Sequence, residues 1–234
     1  MKVFLSHSWH DNPFVRLFRE DLEAAGIEAW VDEVQLKLAD PLPIEIANAI
    51  GGSDYVLVFL SQHSIESRWV QKEISIATAL EVSGKQVNLL PVRLDSSPVP
   101  TLIVDKLYAD FRNPRQYDVE FRQVLGRVRP DALPSVEHSF YCLTLDCTRK
   151  DRLVRAARSA NMHAWVVDYL AAKVQEAKRY TEKSFVYLAL GEIGGPKARA
   201  IIEAGLQDTN RLVEKKAREA LQQLQEQNDN EGGH

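Results

Sequence analysis

The 234-residue chain has only two cysteines, Cys142 and Cys147. Two thiols cannot build the disulfide framework of a small secreted domain, so a hydrophobic core must hold the fold, and so sparing a use of cysteine fits a reducing compartment. There is no excess of positive charge. The 29 Lys and Arg are outnumbered by 33 Asp and Glu, for a formal net charge of −4, which gives non-specific nucleic-acid binding no electrostatic support. No apolar run approaches the roughly 20 residues of a membrane-spanning helix. The opening "KVFLSHSW" lacks a signal-peptide pattern. The expectation is a cytoplasmic protein with neither a nucleic-acid nor a membrane partner. What is present, 45% hydrophobic and 26% charged residues, is the balance of a chain with a buried core.

The first half alternates short β-rich apolar runs with amphipathic stretches, the pattern of a parallel sheet wrapped by helices. "KVFLS" (2–6) predicts a strand buried on both faces. In "NPFVRLFREDLEAAG", Asn12 is the expected N-cap and Pro13 the first helical residue, with Gly26 as the stop. "IEAWV" predicts a second strand, and the proline-bearing "DEVQLKLADPLP" (32–43) a long loop before the helix "IEIANAI". "DYVLVFLS" (54–61) is the strongest strand signal and the expected centre of the sheet. A helix carrying Trp69 and Glu73 follows, then strands in "QVNLLPVRL" and "KLYADF" and a closing helix in "QYDVEFRQVLGRV".

At "RPDALPSVEHS" the periodicity is lost, which places a domain boundary near Arg129. Beyond it the sequence reads as helical. "ALGEIGG" and "ALQQLQE" repeat an Ala-Leu core, with Pro196 opening the helix between them, Gly205 near its end and Asp208 in the next turn. That is a helical-hairpin repeat. The expected layout is a domain at 1–128, a linker at 129–148, a small all-α repeat domain at 149–227 and a disordered tail at 228–234.

"VFLSHSWHD", the loop after "WVDE", "DYVLVFLS" and "WVQKEISIA" stand in the order and spacing of a Toll/interleukin-1 receptor (TIR) domain, which residues 1–128 resemble. The C-terminal repeat resembles HEAT-type repeats. The resemblance implies a flavodoxin-like, five-stranded parallel sheet, in agreement with the strands read above. The sequence departs from the family where Ala39-Asp40-Pro41 replaces a Gly-Asp or Gly-Lys pair. TIR members divide into scaffolds that self-associate and enzymes that hydrolyse or cyclise NAD, and a glutamate in the helix after the third strand marks the enzymes. Glu73 occupies that position.

The resemblance therefore implies an NAD glycohydrolase or cyclase, NAD being substrate with no further cofactor and no metal, and Glu73 the catalytic residue. It further implies a homo-oligomer whose loop after the second strand, with Asp32 and Pro41, reaches a neighbouring subunit. Substrate-binding candidates are Ser6, His7, Ser8 and Trp9 after the first strand, Asp32 and Pro41 in that loop, and Trp69, one helical turn before Glu73. Where the family's enzymes often carry basic residues after the first strand, this chain has Ser8 and Trp9. The helical repeat is expected to sense a signal, drive assembly or hold a protein partner.

Each of these residues has a plainer reading. A glutamate early in a helix is favoured by the macrodipole, and Trp69 suits packing on the sheet. Asp32 could anchor its loop. On that reading the chain is a non-enzymatic adaptor that docks other TIR domains; a third reading is a module that binds NAD without turnover. His7, His10 and Asp11 lack a further Cys or His to complete a metal site, and the two cysteines read as small buried hydrophobes.

Overall fold

A computed structural model describes residues 1–31, 50–66, 68–82, 88–130, 145 and 147–231. The chain divides into two compact units, Met1–Tyr141 and Cys142–His234, a division that falls inside the stretch read as a linker.

In the first unit, strands β1 (Lys2–Ser6), β2 (Glu28–Val31), β3 (Tyr55–Leu60), β4 (Asn88–Arg93) and β5 (Ala109–Asp110) form one sheet in the order β2-β1-β3-β4-β5. Every pairing is parallel. This is the flavodoxin-like arrangement with β3 at its centre, as the apolar run at 54–61 led one to expect. Among the described residues the unit also contains helices α1 (Asn12–Ala24), α2 (Gln62–Glu66), α3 (Arg68–Val82) and α4 (Tyr117–Val128).

Side chains alternate across a strand, and that alternation assigns the two faces. Phe4, Val56, Val58, Leu60 and Leu89 pack with Val70, Ile74 and Ala77 of α3. On the opposite face, Phe14 and Phe18 of α1 meet Phe59, Phe111 and Tyr117 in edge-on ring contacts, the geometry favoured by the ring quadrupole.

The start of α1 differs from expectation. Trp9–Asp11 form a 3₁₀ turn and the cap position falls on Asp11, whose side chain makes no capping bond. Asn12 is the first helical residue and its side chain turns to His7 instead. The end is as read: Gly26 has φ 75°, its N–H donates to Glu23 at 2.9 Å and the Ile27 N–H to Leu22 at 3.0 Å, which is a Schellman close.

Strand β5 is much shorter than "KLYADF" suggested, because it pairs with β4 only at Val92 and Arg93. The Phe111 N–H donates to the Arg93 carbonyl at 2.8 Å, so Arg93 faces β5, and so does Pro91, two residues earlier. A proline is tolerated there, because its missing N–H removes no bond to β3.

The second unit contains α5 (Cys147–Ala157), α6 (Ala160–Glu176), α7 (Tyr180–Ile193), α8 (Pro196–Gly205) and α9 (Arg211–Glu231). Each packs on the next, and α5 with α7, α6 with α8 and α7 with α9 pack as well. The two Ala-Leu cores are stacked counterparts: a Cβ at Gly191 in α7 would lie 3.0 Å from the Cα of Ala220 in α9. Two expectations are corrected. Helix α9 runs to Glu231, continuing through the first four residues of the stretch read as a tail, because neither proline nor glycine interrupts its sequence before Gly232. Cys147 is exposed, since it opens α5 rather than lying on its buried stripe; Cys142 lies outside the described residues.

Candidate functional site

Residues Val70, Ile74 and Ala77 form the stripe of α3 that packs on the sheet, and the helical period puts residue 73 in the same stripe. That residue is Glu73. It is not the solvated acid of an ordinary helix surface: its exposure is 0%. Burying a carboxylate in an apolar stripe is costly unless a donor meets it. The donor comes from the end of β1. Phe4 faces α3, so Ser6, two residues on, faces it too, and the Ser6 hydroxyl donates to Glu73 Oε2. Ser6 is itself buried. The structure thus brings together two of the candidate residues, 67 positions apart, at the carboxyl end of the sheet where open α/β folds bind ligands.

The other candidates distribute differently. His7 turns to the α1 face, with Nδ1 3.3 Å from the Leu5 carbonyl and Nε2 2.5 Å from Asn12 Oδ1, so it braces the strand end against α1. Ser8 is buried; its carbonyl accepts the Asp11 N–H at 2.8 Å and so closes the 3₁₀ turn. Trp9 is 62% exposed, its ring 3.7 Å from that of His10, which stacks on His63 at 4.2 Å. Trp69 lies on α3 one turn before Glu73, with its side chain outside the described residues. Asp32 and Pro41 also lie outside them.

A polar group that joins Asp11 to Ser61, Ser64 and Asp95, of which the sequence singled out Asp11 alone, sits beyond the ends of β1, β3 and β4. Ser61 donates to Asp11 Oδ2 at 2.6 Å, and its own N–H donates to Ser64 Oγ at 2.7 Å. Asp95 accepts the N–H groups of Gln62 at 2.7 Å and Ser97 at 2.8 Å. Part of this could be read from the sequence, since a serine directly after a strand is a favoured helix N-cap. Although burial pushes the Asp95 carboxyl up, the bonds from Ser97 and Gln62 hold it below its ordinary range. Asp11 goes the other way: burial raises it, against the Ser61 bond and the attraction of His63 and His7. Among the described residues no group of three His, Cys, Asp or Glu side chains could hold a metal ion.

The sign for Asp11 follows from linkage. A carboxyl whose folded pKa is raised holds its proton longer in the folded chain, so its contribution to stability is largest in acid and is lost as pH rises from 3.8 through the raised value. Asp11→Asn, which still accepts from Ser61, should therefore stabilise the chain more at about pH 7 than at about pH 4. Urea unfolding of both proteins at the two pH values checks this; an equal difference at both would contradict it.

The sequence profile described as "TIR domain" matches residues 3–125. A stretch of 91 residues is 42% identical to "NAD(+) hydrolase TcpA" of Theionarchaea archaeon (strain DG-70-1), covering 38% of this chain and 27% of that one. A 91-residue stretch is 37% identical to "NAD(+) hydrolase PdTIR" of Paracoccus denitrificans, covering 38% and 30%. The "2' cyclic ADP-D-ribose synthase AbTIR" of Acinetobacter baumannii is 34% identical over 91 residues, covering 38% and 34%. The chain thus spans about a third or less of the length of these curated relatives.

Proposed function

Because the chain belongs to the TIR domain family, matched over residues 3–125, we propose that it cleaves the bond between nicotinamide and ribose in NAD, with Glu73 as the catalytic carboxylate. The observation that carries the reading is the position of Glu73: an acid in the apolar stripe of α3, fully buried and met by the Ser6 hydroxyl. A structural role would be served as well by an apolar residue, whereas buried titratable groups cluster at functional sites. Relatives named as NAD hydrolases and as a cyclic ADP-ribose synthase support the same chemistry.

The reaction asks little of the protein. The breaking bond gives both electrons to the nicotinamide, which leaves as a neutral ring without a proton donor, while positive charge grows on the ribose as in glycoside hydrolysis. A placed carboxylate stabilises that charge. Water then adds to the anomeric carbon and releases a proton, giving ADP-ribose; addition of a hydroxyl of the same molecule gives a cyclic product instead.

Glu73 is fully covered within the single chain, so the ribose reaches it only when that cover moves. Self-association through the TIR unit is the event proposed to open and complete the site, with the loop at 32–43 contributed to a neighbour and the helical unit promoting or restraining the encounter. Nicotinamide release per chain should rise with protein concentration. A concentration series read by both turnover and sedimentation checks this. Turnover per chain that stays constant while the chain passes from monomer to oligomer would contradict the assembly step, and oligomers that release no nicotinamide would favour the adaptor.

A further inference from the structure

A cavity of about 430 Å³ lies far from Glu73, between the starts of β3 and β4, the segment before β5 and helix α4, with Tyr55, Asn88, Lys106, Tyr108, Gln123 and Arg127 among its lining residues. Its position follows from register and alternation. Tyr55 pairs with Asn88 at the starts of β3 and β4, the opposite end of the sheet from Ser6. The Tyr55 hydroxyl donates to the Arg127 carbonyl at 2.8 Å, and Gln123, Val124 and Arg127 share one face of α4, so the cavity opens on the helix face opposite α3. The two sites are diagonal to one another across the sheet. The space exists because β5 pairs only with Val92 and Arg93, leaving Asn88–Pro91 without a strand on that side among the described residues.

We propose that this cavity is a second ligand site, for a nucleotide: a planar base joined to a phosphate. Its volume falls within the roughly 300–1,000 Å³ of small-molecule sites. Among the described residues its lining includes Lys106 and Arg127 and no carboxylate, so the side chains that border it carry positive charge, which favours an anion. It contains two tyrosines, and the ring of Tyr108 is fixed by the Arg93 guanidinium 5.0 Å from its centroid. Leu90 and Val124 supply an apolar floor. The amides of Asn88 and Gln123 each donate one bond within the chain, to the Asp54 carbonyl and to Glu120, both at 3.3 Å, and each retains a second N–H and a carbonyl oxygen that can meet a base edge. Phosphate alone would leave the tyrosines and the apolar floor unused, and an uncharged base would make no use of the positive charge of Arg127. Bound here, a nucleotide would bridge β3, β4 and α4, so it would act as an effector rather than as a substrate.

The test uses the full chain carrying Glu73→Gln, so that turnover does not enter, and measures binding of AMP, adenosine and ribose 5-phosphate by calorimetry. AMP should bind, and each fragment at least about tenfold more weakly. Lys106→Ala with Arg127→Ala, and separately Arg127→Glu, should each weaken AMP by at least about tenfold. Circular dichroism serves as the check on folding, and nicotinamide release in the otherwise wild-type background should be retained without nucleotide. No AMP binding, or binding that both sets of variants leave unchanged, overturns the proposal. Neither outcome touches the role of Glu73, which is read from nicotinamide release.

Discussion

Glu73→Gln should reduce nicotinamide release by about 10²–10³ and leave the chain folded, the range seen when one preorganised electrostatic group is removed from a transition state. The substitution keeps the shape of the side chain and an oxygen that accepts from Ser6, so the apolar stripe formed with Val70, Ile74 and Ala77 is undisturbed. Only the charge is removed. Thermal melts report the fold and single-turnover rates report the chemistry; a rate within about tenfold of wild type would remove Glu73 from the reaction.

Ser6→Ala should have the next largest effect, and for a reason the sequence alone does not supply. The Ser6 hydroxyl is a donor to a carboxylate with 0% exposure. A bond to a buried charge contributes about 1.5–3 kcal/mol, so its loss should cost about 10–100-fold in rate, in folding stability, or divided between them. As a positioning residue Ser6 should change kcat more than KM. Ser6→Thr, which keeps the hydroxyl, should recover part of the loss. A kcat per folded molecule equal to wild type would mean that the bond serves the fold alone.

Much of this arrangement is visible in the residues before any coordinates. The apolar runs at 2–6 and 54–61 announce buried parallel strands, and Gly26 closes α1 where the sequence says it should. Glu73 was singled out through the family resemblance, but there was a purely local signal as well: an acid at the centre of Val70-x-x-x-Ile74-x-x-Ala77, where a solvated glutamate does not belong. Its partnership with Ser6 spans 67 positions and emerges only once the two faces of β1 are assigned. At the start of α1 the sequence points to Asn12 because Asn is a good cap, whereas its side chain meets His7 and that of Asp11 accepts from Ser61, so neither side chain caps the helix. The cavity beside β4 had no sequence signal, because it depends on how little of "KLYADF" pairs: two residues, Ala109 and Asp110.

The most direct measurement is the release of nicotinamide from NAD by the purified chain, followed beside Glu73→Gln at the same concentration, in the range where the wild type self-associates. The wild type should release nicotinamide in an amount equal to that of ADP-ribose and its cyclic form together, and release from the variant should be lower by about 10²–10³. Equal release from both proteins, or none from an associated wild type, would contradict this.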